Sequence, residues 1–137
     1  MRFMLIRKAD KDTEAGALPS REMLAAMMSY NQEMAKAGVF LQGEGLQPSA
    51  TAARVKITGG KPLVTDGPFT ETKELIAGFT MIQVRSREEA IEWVKRWPAL
   101  DAGAEIEIRQ VFEADDFGPA LTPEMRAEEA RLREFIP

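Results

Sequence analysis

Apolar and polar positions along the chain follow two different periods, and these predict strands and helices in a definite order. Residues 2–7, "RFMLIR", form an apolar run between charges, typical of a strand buried on both faces. Residues 39–47 alternate and predict a strand bent at its glycines. Residues 78–84 predict a central strand, and the strict alternation over 104–111 predicts the last one.

Two helices have clear start and stop signals. Ser20 is a favourable N-cap for the first helix, and Gly38 ends it. Ser86 and Glu89 form the S-x-x-E capping box of the second helix, which Pro98 terminates. The first helix carries one apolar stripe, formed by Met23, Met27, Tyr30 and Met34. On that stripe Tyr30 either packs in the core with its hydroxyl bonded to one partner, or lines a binding pocket.

A β-hairpin is predicted between the first and second halves of the chain. Two short extended runs flank Gly59-Gly60, a pair that supplies the positive φ values of a two-residue turn. Pro62 cannot donate to a sheet ladder and therefore favours an edge position for the second arm. The order is strand, helix, strand, hairpin, strand, helix, strand. It predicts an α+β fold, ferredoxin-like with an inserted β-hairpin, with both helices on one side of a mostly antiparallel sheet.

The chain of 137 residues has the size of one domain. We assign residues 1–112 to the ferredoxin-like unit and residues 113–137 to a C-terminal extension of the same domain. Thr122 and Pro123 start an amphipathic helix in this extension. Its apolar stripe is thin and requires a covering surface; it consists of Met125, Leu132 and Ile136.

Composition narrows the possible chemistry. The sequence has no cysteine and no histidine, so acid or base work falls to Asp, Glu, Lys or Tyr. A net charge of −4 without a basic stripe argues against nucleic-acid binding. The apolar runs are too short to span a membrane and no signal peptide is recognisable, which predicts a cytoplasmic protein. Asp115-Asp116 lacks the spaced oxygen ligands of a metal site, so no metal or cofactor is predicted.

The link "VTDGPFTETKE" over residues 64–74 is more highly charged than a plain turn requires. One interpretation is structural. Asp66 bonds backbone N–H groups ahead of it as a turn staple, and Phe69 anchors the link in the core. Glu71 and Lys73 then belong to a solvated rim.

The second interpretation of the link is catalytic. The rigid Gly67-Pro68 pair preorganises Asp66 at a strand end, where partial shielding by Phe69 makes it a candidate general acid or base. Lys73 is a candidate ligand for an anionic substrate or a developing oxyanion, and Glu71 would tune the local field. The residues alone favour the structural interpretation and leave the catalytic one open.

One face of the predicted sheet has no partner within the chain. If Ile106 and Ile108 face the helices, then Glu107 and Arg109 point to the open side, together with Glu44 from the second strand. Such a mixed surface suits a homodimer with two sheets face to face and a polar pocket between them. The alternative is a monomer whose open sheet face is solvated, which would show the same alternation of apolar and polar residues.

Several motifs together resemble the DGPF family within the YCII-related group. They are "GEGLQPS" at 43–49, "VTDGPFTETKE" at 64–74, "GF" at 78–79, "EEAIEWVKRWP" at 88–98 and "EIRQV" at 107–111, and the tail from Asp116 to Phe135 resembles the tails of longer members. The resemblance implies a dimeric α+β barrel. It also implies a bacterial origin and a gene position near extracytoplasmic-function sigma factors. The wider superfamily includes muconolactone isomerases and a dehalogenase-like member.

Some YCII-related proteins have a His-Asp pair as their suggested active site. Because this chain lacks histidine, only an aspartate such as Asp66 is available for part of that role. The leading hypothesis is a dimer that binds or transforms a small metabolite, with Asp66 as acid or base and Lys73 or Arg109 orienting an anionic group. Tyr30, Glu44 and Phe69 complete the predicted pocket. The alternative is a binding or regulatory module without chemistry, linked to a sigma factor.

Overall fold

The computed structural model describes residues 1–136 and confirms the ferredoxin-like α+β fold. Four antiparallel strands form one sheet in the order β2-β5-β1-β6, and β3 and β4 form a separate two-stranded ribbon. The strands are β1 (Arg2–Lys8), β2 (Phe40–Gly45), β3 (Ala53–Lys56), β4 (Leu63–Asp66), β5 (Ile76–Gln83) and β6 (Ile106–Gln110). The helices are α1 (Lys11–Glu14), α2 (Arg21–Lys36), α3 (Arg87–Lys95) and α4 (Pro123–Glu134). Short 3₁₀ turns cover Ser49–Thr51, Thr72–Glu74 and Ala114–Ala120.

The predicted helix boundaries are confirmed by their hydrogen bonds. Ser20 Oγ accepts from the Met23 N–H at 3.1 Å, and Gly38 follows α2 with a φ of 77°. At α3, Ser86 Oγ accepts from the Glu89 N–H at 3.1 Å, while the Glu89 carboxylate accepts from the backbone N–H of Arg85. These bonds satisfy N–H groups that a helix start otherwise leaves without a partner.

The core lies between α2, α3 and one face of the sheet. Its buried apolar residues are Phe3, Leu5, Tyr30, Met34, Val39, Ile82, Val84 and Ala90. Ile106 and Ile108 pack against this cluster, as the alternation of the last strand predicts. Among residues 1–136 no helix is long and apolar enough to cross a membrane.

The prediction that the first strand is buried on both faces is wrong. Phe3 and Leu5 are buried against the helices, but Met4 and Ile6 on the other face are only half-buried. The central position of β5, between β2 and β1, is confirmed.

The prediction of a two-residue turn in the hairpin is also wrong. Lys56 pairs with Leu63, which leaves six residues, 57–62, in the connection. Neither Gly59 nor Gly60 has a positive φ. A loop of this length reverses the chain without the special backbone conformations of the shortest turns.

A buried ion pair fastens the end of β1 to the segment after α3. Arg7 donates two hydrogen bonds to the Asp101 carboxylate, at 2.6 and 3.2 Å. The Trp97 indole N–H donates to the same carboxylate at 3.0 Å. The side chains of Arg7 and Asp101 are only 14% and 17% exposed. This end of the sheet is therefore rigidly connected to the helix layer.

Candidate functional site

The open face of the sheet carries two rows of side chains that run across all four strands. Directly opposed residues of antiparallel strands point to the same face. By strand register, the first row is Glu44, Phe79, Ile6 and Glu107, and the second is Gln42, Met81, Met4 and Arg109. Each row thus has half-buried apolar residues at its centre and polar or charged residues at its ends.

The structure places Glu44, Glu107 and Arg109 together on this open face, as the alternation predicts. The Arg109 guanidinium donates to the Glu107 carboxylate at 3.3 Å, and its side chain is 70% exposed. A guanidinium with most of its N–H groups in solvent can still bind a carboxylate or phosphate in a bidentate manner.

The link after β4, residues 67–75 and hereafter the β4–β5 loop, is held by Ser49. Ser49 is 6% exposed, and its Oγ accepts from the Phe69 N–H at 3.0 Å. The same hydroxyl donates to the Glu14 carboxylate at 2.5 Å, and the Ser49 N–H donates to that carboxylate at 3.1 Å. One serine therefore joins the β4–β5 loop to the segment that contains α1.

Gly67 permits this close approach. A Cβ atom at Gly67 would lie 1.7 Å from the backbone oxygen of Ser49, which no side chain tolerates. The Gly67 N–H donates to the Ala52 oxygen at 2.8 Å, and the Gly67-Pro68 peptide bond is cis. The β4–β5 loop is thus packed backbone to backbone against the Ser49–Thr51 turn.

Asp66, the last residue of β4, is exposed in the single chain. Within the described part of the chain, no hydrogen bond or ion pair engages its carboxylate. The turn-staple interpretation of Asp66 is therefore wrong, because Ser49 and Gly67 hold the turn in its place. The expected core position of Phe69 is also wrong, since its half-buried ring lies 3.8 Å beneath the Arg54 guanidinium.

The charged residues of the β4–β5 loop are exposed. Glu71 lies 3.7 Å from Arg54, and Lys73 occupies the Thr72–Glu74 turn. The loop enters β5 at the end of the sheet that carries the first row, because the Ala9 N–H donates to the Leu75 oxygen. Phe79 of that row lies four positions after Leu75, a distance of about 13 Å along the strand.

Tyr30 lies on the other side of the sheet, in the core. Its hydroxyl donates to the backbone oxygen of Trp93 at 2.6 Å, and burial raises the pKa of Tyr30 to about 12. The ring also lines a shallow groove of about 310 Å³ beside α2, closed at its rim by the Arg96–Glu33 ion pair. Tyr30 therefore cannot share a pocket on the open face with Glu44 and Arg109.

The seven predicted site residues thus fall into three places in one chain: the open face, the end of β4 with the β4–β5 loop, and the core. Sequence reasoning missed Glu14, Ser49 and Arg54, which hold or cover the loop. Ser49 lies in "GEGLQPS", one of the motifs that carry the family resemblance. Its position in this motif was the sequence signal that could have identified it. Within residues 1–136 no group of three acidic side chains converges to hold a metal ion.

Comparison with known proteins identifies the family. The sequence model of the YCII-related domain matches residues 1–115. The uncharacterized protein R00369 of Rhizobium meliloti (strain 1021) is 40% identical over 50 residues, which span 36% of this chain and 40% of the relative.

A solved structure, the 5-chloro-2-hydroxyhydroquinone dehydrochlorinase (TftG) from Burkholderia phenoliruptrix AC1100 in complex with 2,5-dihydroxybenzoquinone, superposes with a TM-score of 0.48. That match has 15% identity and covers 85% of this chain and 98% of the other. Since the family match extends from the first strand through β6, the chain belongs to the YCII-related domain family.

Proposed function

We propose that this protein is a cytoplasmic homodimer, of the DGPF type, that binds or transforms a small anionic metabolite between two facing sheets. The observation that carries the proposal is the pair of rows across the open face, with apolar centres and charged ends. A second copy facing this surface would remove the half-buried apolar centre from water. The charged ends would then line the space between the sheets.

The apolar centre supports a protein partner for this face. Met4, Ile6, Phe79 and Met81 are adjacent through the strand register and half-buried in a single chain. Contiguous apolar surface with a polar rim is typical of an interaction site. The two-fold symmetry of a homodimer would place two copies of every charged row end around one cavity.

In this proposal Arg109 binds the anionic group of the ligand, because its guanidinium is only partly engaged by Glu107. Asp66 acts as the general acid or base, and Lys73 stabilises negative charge that develops on the ligand. Glu71 adjusts the field at Lys73. The Ser49 contacts support this role, since they fix the loop that follows Asp66.

A second candidate function is a binding module without chemistry that acts beside an extracytoplasmic-function sigma factor. It is favoured by the solvent exposure of Asp66 in the single chain, because a general acid or base works best when shielded from bulk water. In that case the open face and the β4–β5 loop serve recognition only.

The assembly is tested by light scattering on the purified protein. We expect a dimer at micromolar concentration that Met81→Glu converts to a monomer, since a charge at the centre of an apolar interface is costly. Leu24→Glu, on the exposed surface of α2, is the matched control and should remain dimeric. A monomeric wild-type protein would refute the dimer.

The chemistry is tested by a thermal-shift screen of small carboxylates and phosphates, followed by turnover assays on each ligand found. Arg109→Glu should abolish the shift, whereas Arg87→Glu on the exposed surface of α3 should retain it. Asp66→Asn should retain binding and abolish turnover. Unchanged turnover in Asp66→Asn would end the acid–base role, and binding without any turnover would favour the module.

A further inference from the structure

The β3–β4 hairpin, residues 53–66 and hereafter the ribbon, is an uncovered apolar element. All eight of its strand residues are exposed, and it forms a two-stranded sheet of its own. Val55 and Val64 are directly opposed in the register and 55% and 66% exposed. An isolated two-stranded hairpin is only marginally stable in water, so this element requires a covering surface.

The C-terminal extension, residues 113–136 and hereafter the tail, is the second uncovered apolar element. Leu132 on α4 is 55% exposed, and the stacked rings of Phe112 and Phe117, 4.9 Å apart, are exposed at its base. No residue of α4 is buried. Of the apolar stripe that the sequence predicts on this helix, Met125 and Leu132 lie on α4 and are exposed. The inclusion of Ile136 is wrong, because α4 ends at Glu134.

The ribbon and the tail have opposite charge. The basic residues of the ribbon are Arg54, Lys56 and Lys61, against the single acid Asp66. The tail has seven acids, Glu113, Asp115, Asp116, Glu124, Glu128, Glu129 and Glu134, against three bases, Arg126, Arg131 and Arg133. Among the described residues Lys56 and Lys61 have no acidic partner, and neither Glu124 nor Glu134 has a basic one. Each arm of the ribbon, about 13 Å long, fits within the length of α4, about 18 Å.

The two elements lie at opposite ends of the sheet. The tail begins beside the start of β1, where Arg2 binds the Glu113 carboxylate at 2.8 Å. The ribbon is rooted at the other end, where the Ala9 N–H donates to the oxygen of Leu75, the last residue of the β4–β5 loop. The seven residues of β1 separate these ends by about 23 Å. A two-fold axis perpendicular to β1, between two facing sheets, brings each end over the opposite end of the second copy.

We propose that the ribbon of one copy docks on the tail of the second copy, reciprocally, across the dimer. The apolar surfaces of Val55 and Val64 cover the α4 stripe. Lys61, in the connection between the two arms, faces the free carboxylates of the tail, whereas Lys56 lies on the opposite face of the ribbon. Docking also moves Asp66, at the root of the ribbon, from solvent to the edge of the interface. This inference rests on the homodimer proposed above.

The absence of cysteine from the chain makes crosslinking a clean test, because a short bis-maleimide reacts only with thiols placed by substitution. The double variant Val64→Cys/Leu132→Cys should run mostly as a covalent dimer on a denaturing gel. Each single variant should remain mostly uncrosslinked. The control Glu92→Cys/Leu132→Cys, with its first thiol on the exposed surface of α3, should not crosslink between copies.

Met81→Cys reports the facing sheets independently, because Met81 lies at the apolar centre of the open face and the proposed homodimer places its two-fold axis there. Crosslinking at Met81→Cys without crosslinking of Val64→Cys/Leu132→Cys would overturn the docking and leave the homodimer intact. If neither Met81→Cys nor the double variant crosslinks, and light scattering shows a monomer, the docking and the homodimer are both overturned. If the single variant Val64→Cys crosslinks, the ribbons of the two copies lie against each other, and this result also refutes the inference. Lys61→Glu should reduce the yield of the double variant, whereas Lys56→Glu, on the opposite face of the ribbon, should reduce it less.

Discussion

Substitution of Gly67 by alanine tests whether the β4–β5 loop is held by its contact with the Ser49 turn. The added Cβ would lie 1.7 Å from the Ser49 oxygen, so the two backbones must separate by about 1.3 Å to reach 3.0 Å. That shift breaks the Gly67 N–H to Ala52 bond and the Phe69 N–H to Ser49 bond. Each broken hydrogen bond is worth about 1 kcal/mol, and the Ser49 hydroxyl also loses one of its hydrogen-bond partners. We therefore expect the free energy of unfolding to fall by about 2–3 kcal/mol.

The assay is urea denaturation followed by tryptophan fluorescence, compared with wild type at the same protein concentration. Gly60→Ala is the matched control, because its Cβ meets nothing within 4 Å and its φ is not positive. We expect this control to be neutral or stabilised by less than about 1 kcal/mol, through the lower entropy of its unfolded chain. If Gly67→Ala behaves like Gly60→Ala, the loop is not held by this contact and the reasoning fails.

Two buried polar contacts give the remaining predictions. Asp101→Asn should lower the free energy of unfolding by about 2 kcal/mol at pH 7 in urea denaturation. The reason is that the largely buried Arg7 guanidinium loses its charged partner. Burial raises the pKa of Asp101, but hydrogen bonds from Arg7 and the neighbouring indole outweigh it and hold that pKa below 3.8. Its stabilisation is therefore fully present above about pH 4 and lost as pH falls through the lowered pKa. A mutant deficit that grows as the pH falls below about 4 would contradict this. Tyr30→Phe should lower the free energy of unfolding by about 1 kcal/mol in thermal denaturation, because the Trp93 oxygen keeps its hydrogen bond from the Arg96 N–H. A loss above about 3 kcal/mol would mean a larger role for the hydroxyl.

The order of elements and both helix caps were predictable from the sequence because they depend on local signals. Ser20 and Ser86 bond N–H groups three residues ahead, so the relevant partners lie within one helical turn. The face of Ile106 and Ile108 followed from strand alternation, which needs no knowledge of neighbouring strands. These features therefore survive any change in how the elements pack.

The arrangement of the candidate site required the tertiary structure because its contacts join distant segments. Glu14 and Ser49 are 35 residues apart, and Ser49 and Phe69 are 20 apart. The sequence placed Asp66, Phe69 and Tyr30 in one pocket, but the sheet separates Tyr30 from the others. No local pattern reveals which serine fills the space that Gly67 leaves open.

The sequence by itself determined the order of the main strands and helices, the fold class and the composition of an open sheet face, since periodicity and capping act over a few residues. Only the tertiary structure decided that Ser49 holds the β4–β5 loop, that the ribbon stands apart from the main sheet and that Asp66 is exposed in the single chain. Those properties depend on strand register and backbone approach between remote segments. Such contacts are selected by the packing of the whole chain rather than by any one stretch of it.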